Sequence, residues 1–229
     1  KPNSNKSELS IRGREVLIEY LQKKDINFRQ EGKIVVDNDL DKLENLYERS
    51  IDLDMEGVKI VQNEELLSIE PNSVMLNGLF VPQAGVVDYK EVVQAYAKDF
   101  VEMGGEIKYI EEIKQIENKN GLKSITGNKY TYNCEFLINC AGLFSDEIAK
   151  LDNMSPSVKI IPFRGEYYKI SNTKNKILNN MIYPLADPDL PFLGIHLTKT
   201  ANGDIEAGPN AVLAFSREGY KLSLIHIWR

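Results

Sequence analysis

The chain has 229 residues, enough for one large domain or two small ones, and an apolar content of 42% that can fill a globular core. Its formal net charge of −6 is mildly acidic and its basic residues are scattered, which argues against nucleic acid as a partner. No apolar run approaches the roughly 20 residues that cross a bilayer, and the opening residues lack the apolar core of a secretory signal. The expected location is therefore the cytoplasm, with peripheral contact at the inner face of the cell membrane left open.

In chain order, residues 7–24 place Leu9, Val16, Leu17, Tyr20 and Leu21 on one helical face. Residues 28–36 read as a strand around Gly32, and Asp39 opens a second amphipathic helix carrying Leu40, Leu43, Leu46 and Tyr47. A short helix near Glu64 ends at Pro71, and residues 74–81 read as a strand. Asp88 then caps a helix, with Glu91 completing a capping-box-like pair and Val92, Val93, Tyr96 and Phe100 as its buried stripe. Gly104-Gly105 stops that helix, and residues 106–109 are expected to be a strand.

Asn120-Gly121 and Gly127-Asn128 mark two tight turns supplying positive φ, hence a small antiparallel meander. Phe136-Leu137-Ile138 is a continuous apolar run, as expected of a parallel strand covered on both faces. It leads through Asn139-Cys140-Ala141-Gly142 to a helix from Ser145 to Leu151. Beyond residue 159 the texture changes to alternating strands, at residues 159–170, 181–185, 192–200 and 204–207. Cys134 and Cys140 fit no metal-ligand or redox spacing and read as reduced, buried thiols.

This order predicts an α/β fold: a Rossmann-like doubly wound sheet interrupted by a meander, its N-terminal strand missing, joined to a mainly antiparallel β/α domain. The expected boundaries are 1–26 and 84–155 for the nucleotide-binding domain and 27–83 and 156–221 for the second. Residues 222–229 are set aside as a sequencing-artefact tail. Ala141-Gly142 has side chains small enough for a dinucleotide to approach the backbone, though alone the pair is equally a strand-to-helix turn. Nowhere does a strand lead into a G-x-G-x-x-G loop. Either that loop lies upstream of Lys1, the preferred reading, or the chain is a non-catalytic binding module.

Several longer motifs carry a family resemblance: residues 80–89 (FVPQAGVVDY), 138–146 (INCAGLFSD), 161–168 (IPFRGEYY), Tyr183-Pro184, 191–198 (PFLGIHLT) and 206–220 (EAGPNAVLAFSREGY). In order and spacing they resemble the L-2-hydroxyglutarate oxidase family, within the D-amino-acid-oxidase-like flavoproteins, over residues 7–221. The resemblance implies FAD as cofactor and oxidation of L-2-hydroxyglutarate to 2-oxoglutarate, with the C2 hydride passing to flavin N5 and electrons later to oxygen or a membrane quinone. A sister enzyme acting on glycerol 3-phosphate or an amino acid is the alternative.

On this reading His196 is the candidate base, since imidazole titrates near neutral pH; a structural histidine is the competing view. Arg164 offers a planar fork for a substrate carboxylate, or else contacts the cofactor or braces the Gly165 turn. Tyr168 and Tyr183 are weaker candidate donors to substrate. Ile113 is placed at the adenine through its main chain, Ala141 and Gly142 at the dinucleotide, and Gly208 either where a flavin ring comes close or in a plain structural turn. Lys199, Arg217 and Lys221 read as solvated surface charge, and no metal is expected. The isolated chain is expected to be inactive.

Overall fold

The computed structural model describes residues 4–170, 177–190 and 192–220. Pro191, Lys221 and the excluded tail lie outside them. The chain forms two compact units, one of Lys1–Asp99 with Gly165–Asn210 and one of Phe100–Arg164 with Ala211–Arg229.

Helix α1 (Asn5–Lys23) is capped by Ser4, whose hydroxyl accepts the Ser7 N–H at 3.3 Å. Strands β1 (Phe28–Arg29) and β2 (Lys33–Val36) replace the single expected strand, because Gly32 turns the chain at φ +80. Helix α2 (Leu40–Ile51) starts at Asp39, whose carboxylate accepts the Lys42 N–H. Then follow β3 (Lys59–Gln62), α3 (Asn63–Ile69), β4 (Asn77–Val81), β5 (Val86–Val87) and α4 (Tyr89–Glu102), the last turn of α4 belonging to the second unit. The second unit continues with β6 (Ile113–Lys119), β7 (Leu122–Gly127), β8 (Thr131–Cys134), a 3-10 turn (Gly142–Phe144), α5 (Ser145–Leu151) and β9 (Phe163–Arg164). The chain returns to the first unit for β10 (Tyr168–Ile170), β11 (Met181–Pro184), β12 (His196–Lys199) and β13 (Ile205–Gly208), and ends its described part with β14 (Val212–Leu213) in the second.

The first unit is built on a seven-stranded sheet of order β10-β13-β12-β11-β2-β4-β3, antiparallel except where β11 runs parallel to β2. Alternation along β2 sends Ile34 and Val35 to opposite faces. Val35 packs with Leu79 and Val58 around Leu43 of α2, and Ile34 packs with Val61 around Leu66 of α3. Each helix thereby buries its apolar stripe against one side of the same strands.

In the second unit β6, β7 and β8 form the expected meander. Its first turn takes positive φ at Asn120 (52°) and Gly121 (82°). The second turn is made differently. Gly127 and Asn128 keep ordinary φ, and the Glu111 carboxylate accepts the N–H groups of Lys129 and Tyr130 at 3.2 and 3.0 Å. A Cβ on Gly127 would collide with that carboxylate.

Some expectations are corrected. Residues 106–109 and 136–138 are not strands, and Phe136 and Ile138 are 85% and 83% exposed. An apolar run becomes a covered parallel strand only when neighbours supply partners on its edges, and among the described residues none pairs with either segment. On α4 only Val92 is buried, Val93, Tyr96 and Phe100 being exposed, and on α1 Leu21 is buried while Leu9 and Val16 face solvent. Asp88 caps through the Lys90 N–H at 2.8 Å rather than through a box with Glu91. Cys140 is exposed and Cys134 half-buried.

Candidate functional site

In the first unit the sheet places three side chains of interest on one face. The register pairs Ile182 with Leu197, which sets Tyr183 on β11 opposite His196 on β12. Their rings stack with centroids 4.0 Å apart and planes 13° from parallel. His196 is only 8% exposed. Its Nδ1 lies 3.1 Å from the Gly194 carbonyl, and since a carbonyl oxygen only accepts, Nδ1 carries a hydrogen, which in the neutral ring leaves the lone pair on Nε2. Lys33 on β2 approaches from the other side, its ammonium 5.2 Å from the Tyr183 ring centroid, and burial pushes its pKa down. The Tyr183 hydroxyl lies 3.3 Å from Thr198 Oγ1.

Tyr168 does not join them. It pairs with Ala207, which pairs with Leu197, so it points to the opposite sheet face and is 79% exposed. Gly208 lies opposite His196, but a Cβ there would meet the Glu166 carbonyl at 2.7 Å and the Tyr167 ring at 2.8 Å. The close approach that requires glycine is thus to the protein's own chain.

In the second unit, Ile113 begins β6 opposite Gly127, with an irregularity before Gln115. Arg164 pairs with Val212, and its Nη1 donates to the Gly219 carbonyl at 3.0 Å, bracing the segment after β14. Ala141-Gly142 is held by Asn139, whose side chain accepts the Ala141 N–H at 3.1 Å and donates to the Ser145 carbonyl at 2.7 Å. Gly142 adopts φ +55 with no atom within 4 Å of the Cβ position. This exposed, side-chain-free turn fits close approach by a polyphosphate.

Two side chains read as surface charge are structural. Arg217 forks onto Asp146 at 2.7 and 2.8 Å, reaches Glu147 at 2.9 Å and also donates to the Leu143 carbonyl. Its guanidinium holds the Asp146 carboxyl below the usual range and so fastens the start of α5, next to the Ala141-Gly142 turn. Lys199 is largely buried beside Glu31 at 3.4 Å. Glu70, which drew no attention in the sequence, is 0% exposed and accepts the N–H groups of Asn179 and Asn180, both at 2.8 Å, at the entrance to β11. Partners so far apart along the chain leave no local signal.

Among the described residues no helix is long and apolar enough to cross a membrane, and no cluster of His, Cys, Asp and Glu could hold a metal. Residues 1–224 match the family model described as DAO, FAD dependent oxidoreductase. The chain belongs to the FAD-dependent oxidoreductase family. The family's cofactor is FAD. L-2-hydroxyglutarate dehydrogenase of Indibacter alkaliphilus is 40% identical over 99% of this chain and 58% of its own length. The mitochondrial L-2-hydroxyglutarate dehydrogenase of Homo sapiens is 37% identical over 96% of this chain and 51% of its own. The chain thus spans little more than half of these relatives. In fold it matches the FAD-bound L-alpha-glycerophosphate oxidase of Mycoplasma pneumoniae, with a TM-score of 0.83 at 20% identity over 95% of this chain and 59% of that one. It also matches glycine oxidase of Geobacillus kaustophilus, with a TM-score of 0.77 at 16% identity over 94% and 59%. The architecture is the α/β fold with mixed sheets of these flavoproteins.

Proposed function

We propose that the protein oxidises L-2-hydroxyglutarate to 2-oxoglutarate. The observation that carries this reading is the buried His196, fixed through Nδ1 and stacked on Tyr183 so that Nε2 can take the hydroxyl proton. The names of the relatives supply the substrate. When bound, FAD supplies the acceptor for the C2 hydride, so one proton and one hydride leave and the C2–O bond becomes a carbonyl. Ile113, Ala141 and Gly142 are the residues assigned to the cofactor, Gly142 on the strength of its open backbone, whereas Gly208 is occupied by its packing against Glu166 and Tyr167. Tyr183 orients the imidazole, and Arg164 is assigned to a substrate carboxylate. Tyr168 keeps only an outlying role, since it faces the other way. The final electron acceptor is oxygen or a quinone.

Anaerobic mixing of the flavin-loaded protein with L-2-hydroxyglutarate tests the proposal: the flavin absorbance should bleach. Glycerol 3-phosphate and amino acids, substrates suggested by the fold neighbours, serve as comparators. Bleaching by one of these and not by L-2-hydroxyglutarate would reject the assignment.

A further inference from the structure

We propose that Lys33 binds the substrate carboxylate remote from the oxidised carbon, and thereby selects a dicarboxylic hydroxyacid over a monocarboxylic one. The inference rests on the reading of His196 as the base. In the sheet order β12-β11-β2 the central strand carries Tyr183, so His196 and Lys33 reach its ring from opposite sides. The imidazole centroid and the ammonium lie 4.0 and 5.2 Å from the same ring centroid. The two groups are therefore at most about 9 Å apart, a span that the five-carbon chain of a hydroxyglutarate can cover with its C2 hydroxyl at the imidazole and its far carboxylate at the ammonium.

The surroundings of Lys33 support an external anion. Lys33 also lines a cleft of about 630 Å³ with Ser10 and Arg14 of α1, a cleft that neither Tyr183 nor His196 lines. Glu15, Asp54 and Glu56 line the same cleft, yet none of them pairs with Lys33, whose one contact among the described polar and aromatic groups is the Tyr183 ring. Burial alone depresses its pKa, with no carboxylate to offset it. A half-buried ammonium without a counter-ion is costly, and a methionine would fill the same space without that cost. A cation retained there is explained by an anion that arrives with the substrate.

The test compares the flavin-loaded protein with Lys33→Met and Lys33→Arg. Calorimetry measures binding of glutarate and of butyrate, which cannot be oxidised by the same step, and kinetics compares L-2-hydroxyglutarate with L-2-hydroxybutyrate. Lys33→Met should weaken glutarate by about 30-fold and lower the kcat/KM ratio of the dicarboxylate to the monocarboxylate by a similar factor. Lys33→Arg should recover a substantial part of both. Equal losses for the two ligand classes, or no loss for either, would overturn the proposal. If the unmodified protein fails to oxidise L-2-hydroxyglutarate, the parent reading falls, while the glutarate measurement still judges Lys33 on its own.

Discussion

A histidine committed through Nδ1 to the Gly194 carbonyl offers substrate a single ring nitrogen, and stacking on Tyr183 limits where that nitrogen can point. His196→Asn keeps a polar side chain but removes the proton acceptor. It should lower kcat by about 10²- to 10⁴-fold; a kcat within a few-fold of the parent's would show that another group accepts the proton. Glu70 is a residue of a different kind. Its carboxylate satisfies two backbone donors where the chain enters β11, and Glu70→Leu would strand both. The expected loss is about 2–4 kcal/mol in denaturant unfolding, whereas a variant as stable as the parent would mean that water reaches those groups.

Elements governed by local chemistry were legible in the sequence. Asp39 announces α2, Asn120-Gly121 announces the first hairpin, and Gly104-Gly105 ends α4, each because one or two adjacent residues fix the backbone. Gly121→Ala, forced to hold φ +82, should destabilise the hairpin by about 1 kcal/mol, seen as faster amide exchange in β6 and β7. The equivalent change at Gly127 acts through collision with Glu111 instead, a reason no dipeptide rule contains. Strands were harder to read, because pairing makes a strand and pairing is non-local. Residues 106–109 and 136–138 have strand composition and no partner among the described residues. The four-residue β3 has a partner in β4 and too little length to show an alternating pattern.

At the scale of the molecule, the family resemblance and the α/β class were legible because long motifs recur in order. The candidate site was legible only as separate residues. His196 and Tyr183 could be named, but their stacking, the approach of Lys33 and the turning away of Tyr168 follow from sheet register, which joins segments distant in sequence. Charge pairs obey the same logic and set the acid stability. Asp146, held by Arg217, and Asp99, held by Lys24 and Tyr20, both have carboxyls below their usual range. Their stabilisation is complete above the unfolded value of about 3.9 and is lost as pH falls through the lower folded values. The melting temperature should therefore drop on acidification below about pH 4. In Arg217→Met that drop should be shallower from a lower starting point; an unaltered slope would assign acid unfolding to other groups.

The Glu70 clamp also bears on how the chain reaches its fold. It links positions 109 and 110 residues apart, and the second unit's segment Phe100–Arg164 lies between them in sequence. The meander, closed by adjacent hairpins, is able to form early, whereas β11 cannot dock on β2 until a long loop has been gathered in. The strand that carries Tyr183 is thus expected to seat after the meander, so that in a refolding experiment protection of β11 amides should lag behind that of β6 and β7.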